Sequence, residues 1–343
     1  MADVPTRPAP TPTPAPPQAQ LADLLWGYQR TQLLYVAAKL GIADLLVTGP
    51  RSTEELAAAT GTHAPSLYRL LRALAGHAVF AEQEDGRFEL TPLAALLQTD
   101  SPDSMRAMAL AEGEDFYAVW GELLHSVRTG ETVFARVYGM ANWEYRAQNP
   151  EANARFNAYM GDLTRQKAAA VVTHYRFPER GTVVDVGGGD GTLLAAILRA
   201  YPHLRGVLFD VPHVVAQAEA VLAAAGVADR CARVGGDFFA DVPPGGDRYL
   251  LATVLHDWGD DRAADILRTC RRAMTPGATL LVIERVMPGR NVPSMAKLRD
   301  MHMLIWGRTV MVSWCSSQAP RALPSPAADV VIGSSVPPRR RRV

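Results

Sequence analysis

Apolar residues recur along this chain in two rhythms, and the change from one to the other divides it. Early on, Leu24, Leu25, Tyr28, Leu33, Val36, Ala37 and Leu40 follow a helical spacing that stops at Gly41. Ser52 and Glu55 have the form of a capping box opening a helix over 54–60, and Pro65 begins another whose Leu67, Leu70, Leu71 and Leu74 share one face. Residues 79–81 and 87–90, joined through Asp85 and Gly86, predict a small hairpin. Helix, helix and hairpin is the outline of a winged helix.

From residue 182 the rhythm becomes short β-branched runs alternating with helical stretches. Strands are expected at 182–186, 206–209, 231–234, 248–255 and 279–283, with helices at 192–200, 213–225 and 263–274. That alternation means a parallel sheet with right-handed crossovers. The fold class expected is therefore α/β, a Rossmann-like sheet behind an N-terminal, mostly helical, winged-helix domain. Between the two parts, residues 104–175 read as helices rich in aromatic and methionine side chains, Trp143, Phe156 and Met160 among them. Phe156 and Met160 lie one helical turn apart on the same face, as a lid over an apolar, aromatic substrate would need. The organisation expected is a Pro-rich, disordered leader over 1–20, with seven prolines, a winged-helix-like dimerisation domain over 21–100, a helical linker and lid over 101–175, and a cofactor-binding domain over 176–304.

Composition narrows the partners. The chain has 343 residues, 48% of them apolar, with 35 basic and 35 acidic side chains, so it lacks the basic excess that nucleic acid or an anionic membrane calls for. Within 51–100, where a winged helix would read DNA, four basic residues face seven acidic ones, and dimerisation is the expected use of the module. No apolar run reaches the roughly 18 residues of a membrane span and no signal peptide opens the chain, which points to the cytoplasm. Cys231, Cys270 and Cys315 match no metal-ligand spacing, and no metal is expected.

The chemistry starts where the first β-branched run ends. Val183, Val184 and Val186 lead into Gly187, Gly188, Gly189, Asp190 and Gly191, and glycines here let backbone amides approach a ligand. A dinucleotide turn wants Gly-x-Gly-x-x-Gly, but the third position is Thr192. Asp185 and Asp190 favour a ligand with a cationic or zwitterionic end over a pyrophosphate, and S-adenosylmethionine fits that description. Asp210, 25 residues after Asp185, closes the next strand where an acid can hold ribose hydroxyls. Gly236, Asp237 and Phe238 follow the third, with an acceptor for an adenine amine and a ring to stack on it. His256 and Glu284 end the last two strands, which places a histidine able to take a hydroxyl proton beside a carboxylate able to hold its other nitrogen.

Four motifs together give the chain a resemblance to the class I S-adenosylmethionine-dependent O-methyltransferases, of the type shared by plant caffeate and isoflavone enzymes and bacterial polyketide, phenazine and mitomycin tailoring enzymes. They are Val-Asp-Val-Gly-Gly-Gly-Asp-Gly from Val184, Leu-Phe-Asp-Val-Pro-His-Val-Val ending at Val215, Gly-Asp-Phe-Phe from Gly236 and Val-Leu-His-Asp-Trp from Val254. The resemblance implies that Gly187, Asp210, Asp237, Phe238 and the backbone of Ala252 hold the cofactor, beside Asp185, Gly189 and Gly236 of the same turns. It implies that His256 is the base and Glu284, 28 residues on, orients it. Substrate contacts map to Phe156, Met160, Asp257 and Met303, with Trp143 added from the lid. The implied partners are a small hydroxylated aromatic substrate and a second copy of the chain.

Beyond residue 304 the resemblance stops. The family continues with a second catalytic glutamate, a helix and a closing antiparallel hairpin, whereas position 316 is a serine and residues 301–343 hold one acid, Asp329, against 34 in the preceding 300. The segment 305–343, ending in Arg339 to Arg342, is expected to be disordered, aberrant sequence translated out of the ancestral frame, and to impair turnover.

Overall fold

The computed structural model describes residues 15–101, 103–285, 287–306 and 330–334. By its internal contacts the chain divides after Gly113 into two compact units.

In the N-terminal unit the helix that the apolar spacing predicts is two, Pro17–Leu25 and Gly27–Lys39, broken at Trp26. Glycine at the start of the second, with its low helix propensity, suits the break. The first helix begins at Pro17, inside the stretch expected to be a disordered leader, because proline at a helix start gives up only an N–H that has no partner there. Residues 1–14 of that leader lie outside the described residues. The capping box forms as expected: Ser52 Oγ accepts from the Glu55 amide at 3.2 Å and Glu55 Oε2 from the Ser52 amide at 2.7 Å. Helices Thr53–Thr60 and Ala64–Ala75 precede the antiparallel pair β1 (Phe80–Glu82) and β2 (Phe88–Leu90). Ile42, Leu56, Leu71, Phe80 and Phe88 are sealed in the core between them. The unit continues to Gly113 because helix Arg106–Ala111 packs on Gly27–Lys39, and Gly113 lies so close to Tyr35 that a Cβ there would overlap its ring. Leu24, Leu25, Trp26 and Tyr28 remain exposed along the first two helices.

The second unit is built on β3 (Gly181–Val186), β4 (Leu204–Asp210), β5 (Cys231–Gly235), β6 (Arg248–Ala252), β7 (Thr279–Arg285) and β8 (Val330–Ser334). Their order is β5-β4-β3-β6-β7-β8, with the first five parallel. Val183, Val184 and Val186 are completely buried, as continuous apolar strands between helical layers should be. The order reverses at β3, which has β4 on one side and β6 on the other. Such a switch opens a crevice at the C-terminal strand ends.

The segment expected to be without structure after residue 304 needs correction. Helix Met295–Trp306 runs past that point, and β8 pairs antiparallel with β7, Leu281 opposite Ser334 and Glu284 opposite Val331. The physical reason is the edge of β7: its backbone groups need partners, and the backbone of Val330–Ser334 supplies them. Residues 307–329 and 335–343, with position 316 and the terminal arginines, lie outside the described residues.

Candidate active site

The turn after β3 is tight enough to require its glycines. Gly187, Gly189 and Gly191 have φ of +71°, +60° and +80°, and a Cβ on Gly187 would stand 2.8 Å from Val254 Cγ2. Gly189, in contrast, faces open space. Its amide donates to Asp210 Oδ2 at 2.9 Å, and the Val211 amide donates to Asp210 Oδ1 at 2.7 Å, so the acid closing β4 braces the turn closing β3. The turn after β5 joins them: the Gly236 amide donates to the Asp210 carbonyl at 2.9 Å, and a Cβ on Gly236 would meet the Phe209 ring at 2.5 Å. Asp237 accepts from the Phe239 amide at 2.9 Å, and Phe238 borders Gly187 and stands edge-on to Phe239 and Trp258. Asp185, Gly187, Gly189, Asp210, Gly236, Asp237 and Phe238 therefore converge on one crevice, with Ala252 at the end of the neighbouring β6.

Asp185 is the anomaly of this crevice. It is fully buried, and neither carboxylate oxygen has a hydrogen-bond partner. Burial pushes its carboxyl up to about 7, with Asp210 and Asp190 adding to the rise and Lys167 opposing it. An unsatisfied buried acid beneath a glycine cradle suits a ligand with a cationic end, and it does not suit a pyrophosphate.

On the other side of β3, His256 and Glu284 meet. His256 sits in the 3-10 turn Leu255–Asp257 after β6, and its Nδ1 is 2.8 Å from Glu284 Oε2. The other oxygen, Oε1, accepts from the Leu255 amide at 2.9 Å, so one carboxylate fixes both the ring and the turn that carries it. With Nδ1–H donating to Glu284, Nε2 of the neutral ring is the acceptor. Asp257 Oδ1 lies 3.4 Å from Nε2. Burial disfavours the imidazolium, but the Glu284 hydrogen bond and charge, then the Asp257 charge, outweigh it and raise the histidine; Lys167 pulls the other way. Burial likewise raises the Asp257 carboxyl, against the pull of His256.

The residues expected to form a lid gather separately. Phe156 packs edge-on to Trp143 and stacks on Trp306, with ring centroids at 6.0 and 6.2 Å, and the Arg146 guanidinium lies 3.8 Å over its ring. Trp143 is 71% exposed, and Met160 is also exposed one turn beyond Phe156 on the long helix Pro150–His174. Met303 lies on helix Met295–Trp306, whose His302 and Trp306 pack around buried Phe116. Burial, then Arg299 and Arg285, lowers His302 to about 4, so it is neutral there.

Three residues packed beside these were not singled out from the sequence. Trp306 lay beyond the end of the resemblance. Thr253 is a β-branched residue at φ +57°, a strained geometry visible only in the structure. Lys167 donates to Thr253 Oγ1 at 2.7 Å. A signal for it did exist: Leu163, Lys167 and Val171 follow one helix face, and a lysine on an apolar face needs a reason. Among the described residues no cluster of acids, histidines and cysteines could hold a metal, and no helix is long and apolar enough to cross a membrane.

Comparison with known proteins agrees in both units. A family model described as an O-methyltransferase domain matches residues 120–311, and one described as an O-methyltransferase dimerisation domain matches residues 22–100. The phenazine O-methyltransferase of Lysobacter antibioticus is 51% identical over 285 residues, 83% of this chain and 84% of that one. The O-demethylpuromycin-O-methyltransferase of Streptomyces alboniger is 42% identical over 293 residues, 84% and 78% of the two chains. A solved methyltransferase of calicheamicin biosynthesis, in its SAH-bound form, matches with a TM-score of 0.83 and 35% identity over 94% of this chain and 98% of that one.

Proposed function

The chain belongs to the S-adenosylmethionine-dependent O-methyltransferase family, with that family's dimerisation domain at its N-terminus, and from this premise we propose that it methylates a phenolic hydroxyl of a small aromatic secondary metabolite with His256 as general base. The observation that carries the proposal is the 2.8 Å hydrogen bond holding His256 Nδ1 on Glu284 at the rim of the crevice. When bound, the cofactor supplies an electrophilic methyl group on a sulfonium. Gly187, Gly189, Gly236 and the backbone of Ala252 form its bed, Asp185 answers its cationic end, Asp210 its ribose, and Asp237 and Phe238 its adenine. His256 Nε2 accepts the hydroxyl proton, from a group whose unperturbed pKa is about 10. Glu284 stabilises the imidazolium that results and keeps the ring from turning. Asp257 flanks the proton-accepting nitrogen. Phe156, Met160, Met303 and Trp143 supply the apolar surface against which a flat ring is oriented, and orientation contributes much of the rate in a displacement of this kind.

The active form is proposed to be a homodimer of the N-terminal units, supported by the matched dimerisation domain and by the exposed row Leu24, Leu25, Trp26 and Tyr28. The test of function pairs calorimetry of S-adenosylmethionine binding with methyl transfer from labelled cofactor to a panel of phenols and naphthols. Binding accompanied by a methyl ether product supports the proposal. Tight binding with no methylated product across the panel would make the protein a cofactor binder that no longer methylates.

A further inference from the structure

Lys167 projects from the middle of helix Pro150–His174, and its ammonium donates to Thr253 Oγ1 at 2.7 Å. Thr253 is the first residue after β6 and opens the turn that carries His256. Its amide donates to the Ile283 carbonyl at 3.0 Å, one residue before Glu284, and its hydroxyl also reaches the Ala252 carbonyl. The residue is held at φ +57°, which a β-branched side chain adopts only when its surroundings impose it. A lysine is therefore tied to the junction from which the paired histidine and glutamate both project.

The charges around that junction explain why a cation belongs there. His256 faces Glu284 from β7 and Asp257 from its own turn, and both favour the protonated ring. Two acids beside a base favour its protonated form before the substrate arrives. Lys167 is the cation that acts on His256 in the opposite sense, and the groups acting on Lys167 itself are Glu284, Asp185 and Arg285. We propose that Lys167 is a positioning residue for the base: it fixes the Thr253 turn and offsets part of the pull of the acids beside His256, which limits how strongly they hold a proton on the imidazole that must accept one from the substrate. This rests on the assignment of His256 as the base.

The test is a pair of titrations on the full-length protein. The ring of His256, assigned with His256→Gln, is followed by NMR of 15N-labelled histidine in the wild type and in Lys167→Met, Lys167→Gln and Lys167→Arg. Removing the cation is expected to move the His256 midpoint upward by about half a pH unit or more, as for one charge at a partly screened distance. The arginine variant should restore the wild-type midpoint, and the acidic limb of kcat/KM for methyl transfer should move with the midpoint in every variant. A purely packing role would lower thermal stability and leave the midpoint in place. An unmoved midpoint in folded Lys167→Met or Lys167→Gln overturns the proposal. The assignment of the base fails separately, if His256→Gln methylates as fast as the wild type, and that outcome leaves the NMR coupling intact.

Discussion

Asp185→Asn should flatten the pH dependence of stability. Asp185 is wholly buried without a hydrogen bond, and its carboxyl stands at about 7 in the folded protein against an ordinary 3.8. The folded value is the higher one. The stability gained by holding the proton is therefore complete below about pH 4 and is lost as pH rises through about 7. At about 1.4 kcal/mol per unit, the full excursion is roughly 4 kcal/mol, of which roughly 3 kcal/mol falls between pH 5 and 8. Asparagine does not titrate. Subtracting the variant's unfolding free energy from the wild type's at each pH cancels the other carboxylates and leaves this one. Urea titrations of both proteins in the absence of cofactor, at pH 5, 6, 7 and 8, are expected to show the variant gaining on the wild type by a few kcal/mol across the series, most of it by pH 7. A difference that stays constant with pH would refute the claim that Asp185 is an unsatisfied buried acid in the free protein.

Further outcomes follow from the same geometry. Glu284→Gln removes the charge that raises His256, so the acidic limb of kcat/KM should shift to lower pH while kcat falls about 10- to 100-fold and cofactor affinity holds; pH-rate profiles and calorimetry check this. Gly187→Ala forces a Cβ within 2.8 Å of Val254 Cγ2 at φ +71°, so cofactor affinity should drop at least tenfold in calorimetry, with a thermal-shift loss matching about 1–3 kcal/mol. Replacing Leu24 and Leu25 with Glu should halve the sedimentation mass if the exposed helix face is the dimer seam; an unchanged mass would place that seam elsewhere.

Much of the C-terminal unit was legible in the sequence because its signals are local. Val183, Val184 and Val186 declare a buried strand, four glycines in five residues declare a close approach, and acids at strand ends follow from the α/β alternation itself. The spacing of His256 and Glu284 became a 2.8 Å contact because β6 and β7 are neighbours in the sheet. What could not be read was set by tertiary partners. Thr253 takes a positive φ where its amide bonds to the Ile283 carbonyl, and Lys167 finds its partner only when the fold brings its ammonium to Thr253, the first residue after β6. β8 is the instructive failure. Its sequence shows neither helical nor strand period and was expected to have no structure, yet Val330–Ser334 pairs along the edge of β7.

The most direct test of the account is the rate of methyl transfer by His256→Asn, measured beside its affinity for S-adenosylmethionine. The variant is expected to bind the cofactor as the wild type does and to transfer methyl at least 100-fold more slowly to a phenolic acceptor, with part of the loss recovered at high pH where the phenol ionises unaided. Wild-type turnover by His256→Asn at neutral pH would contradict it.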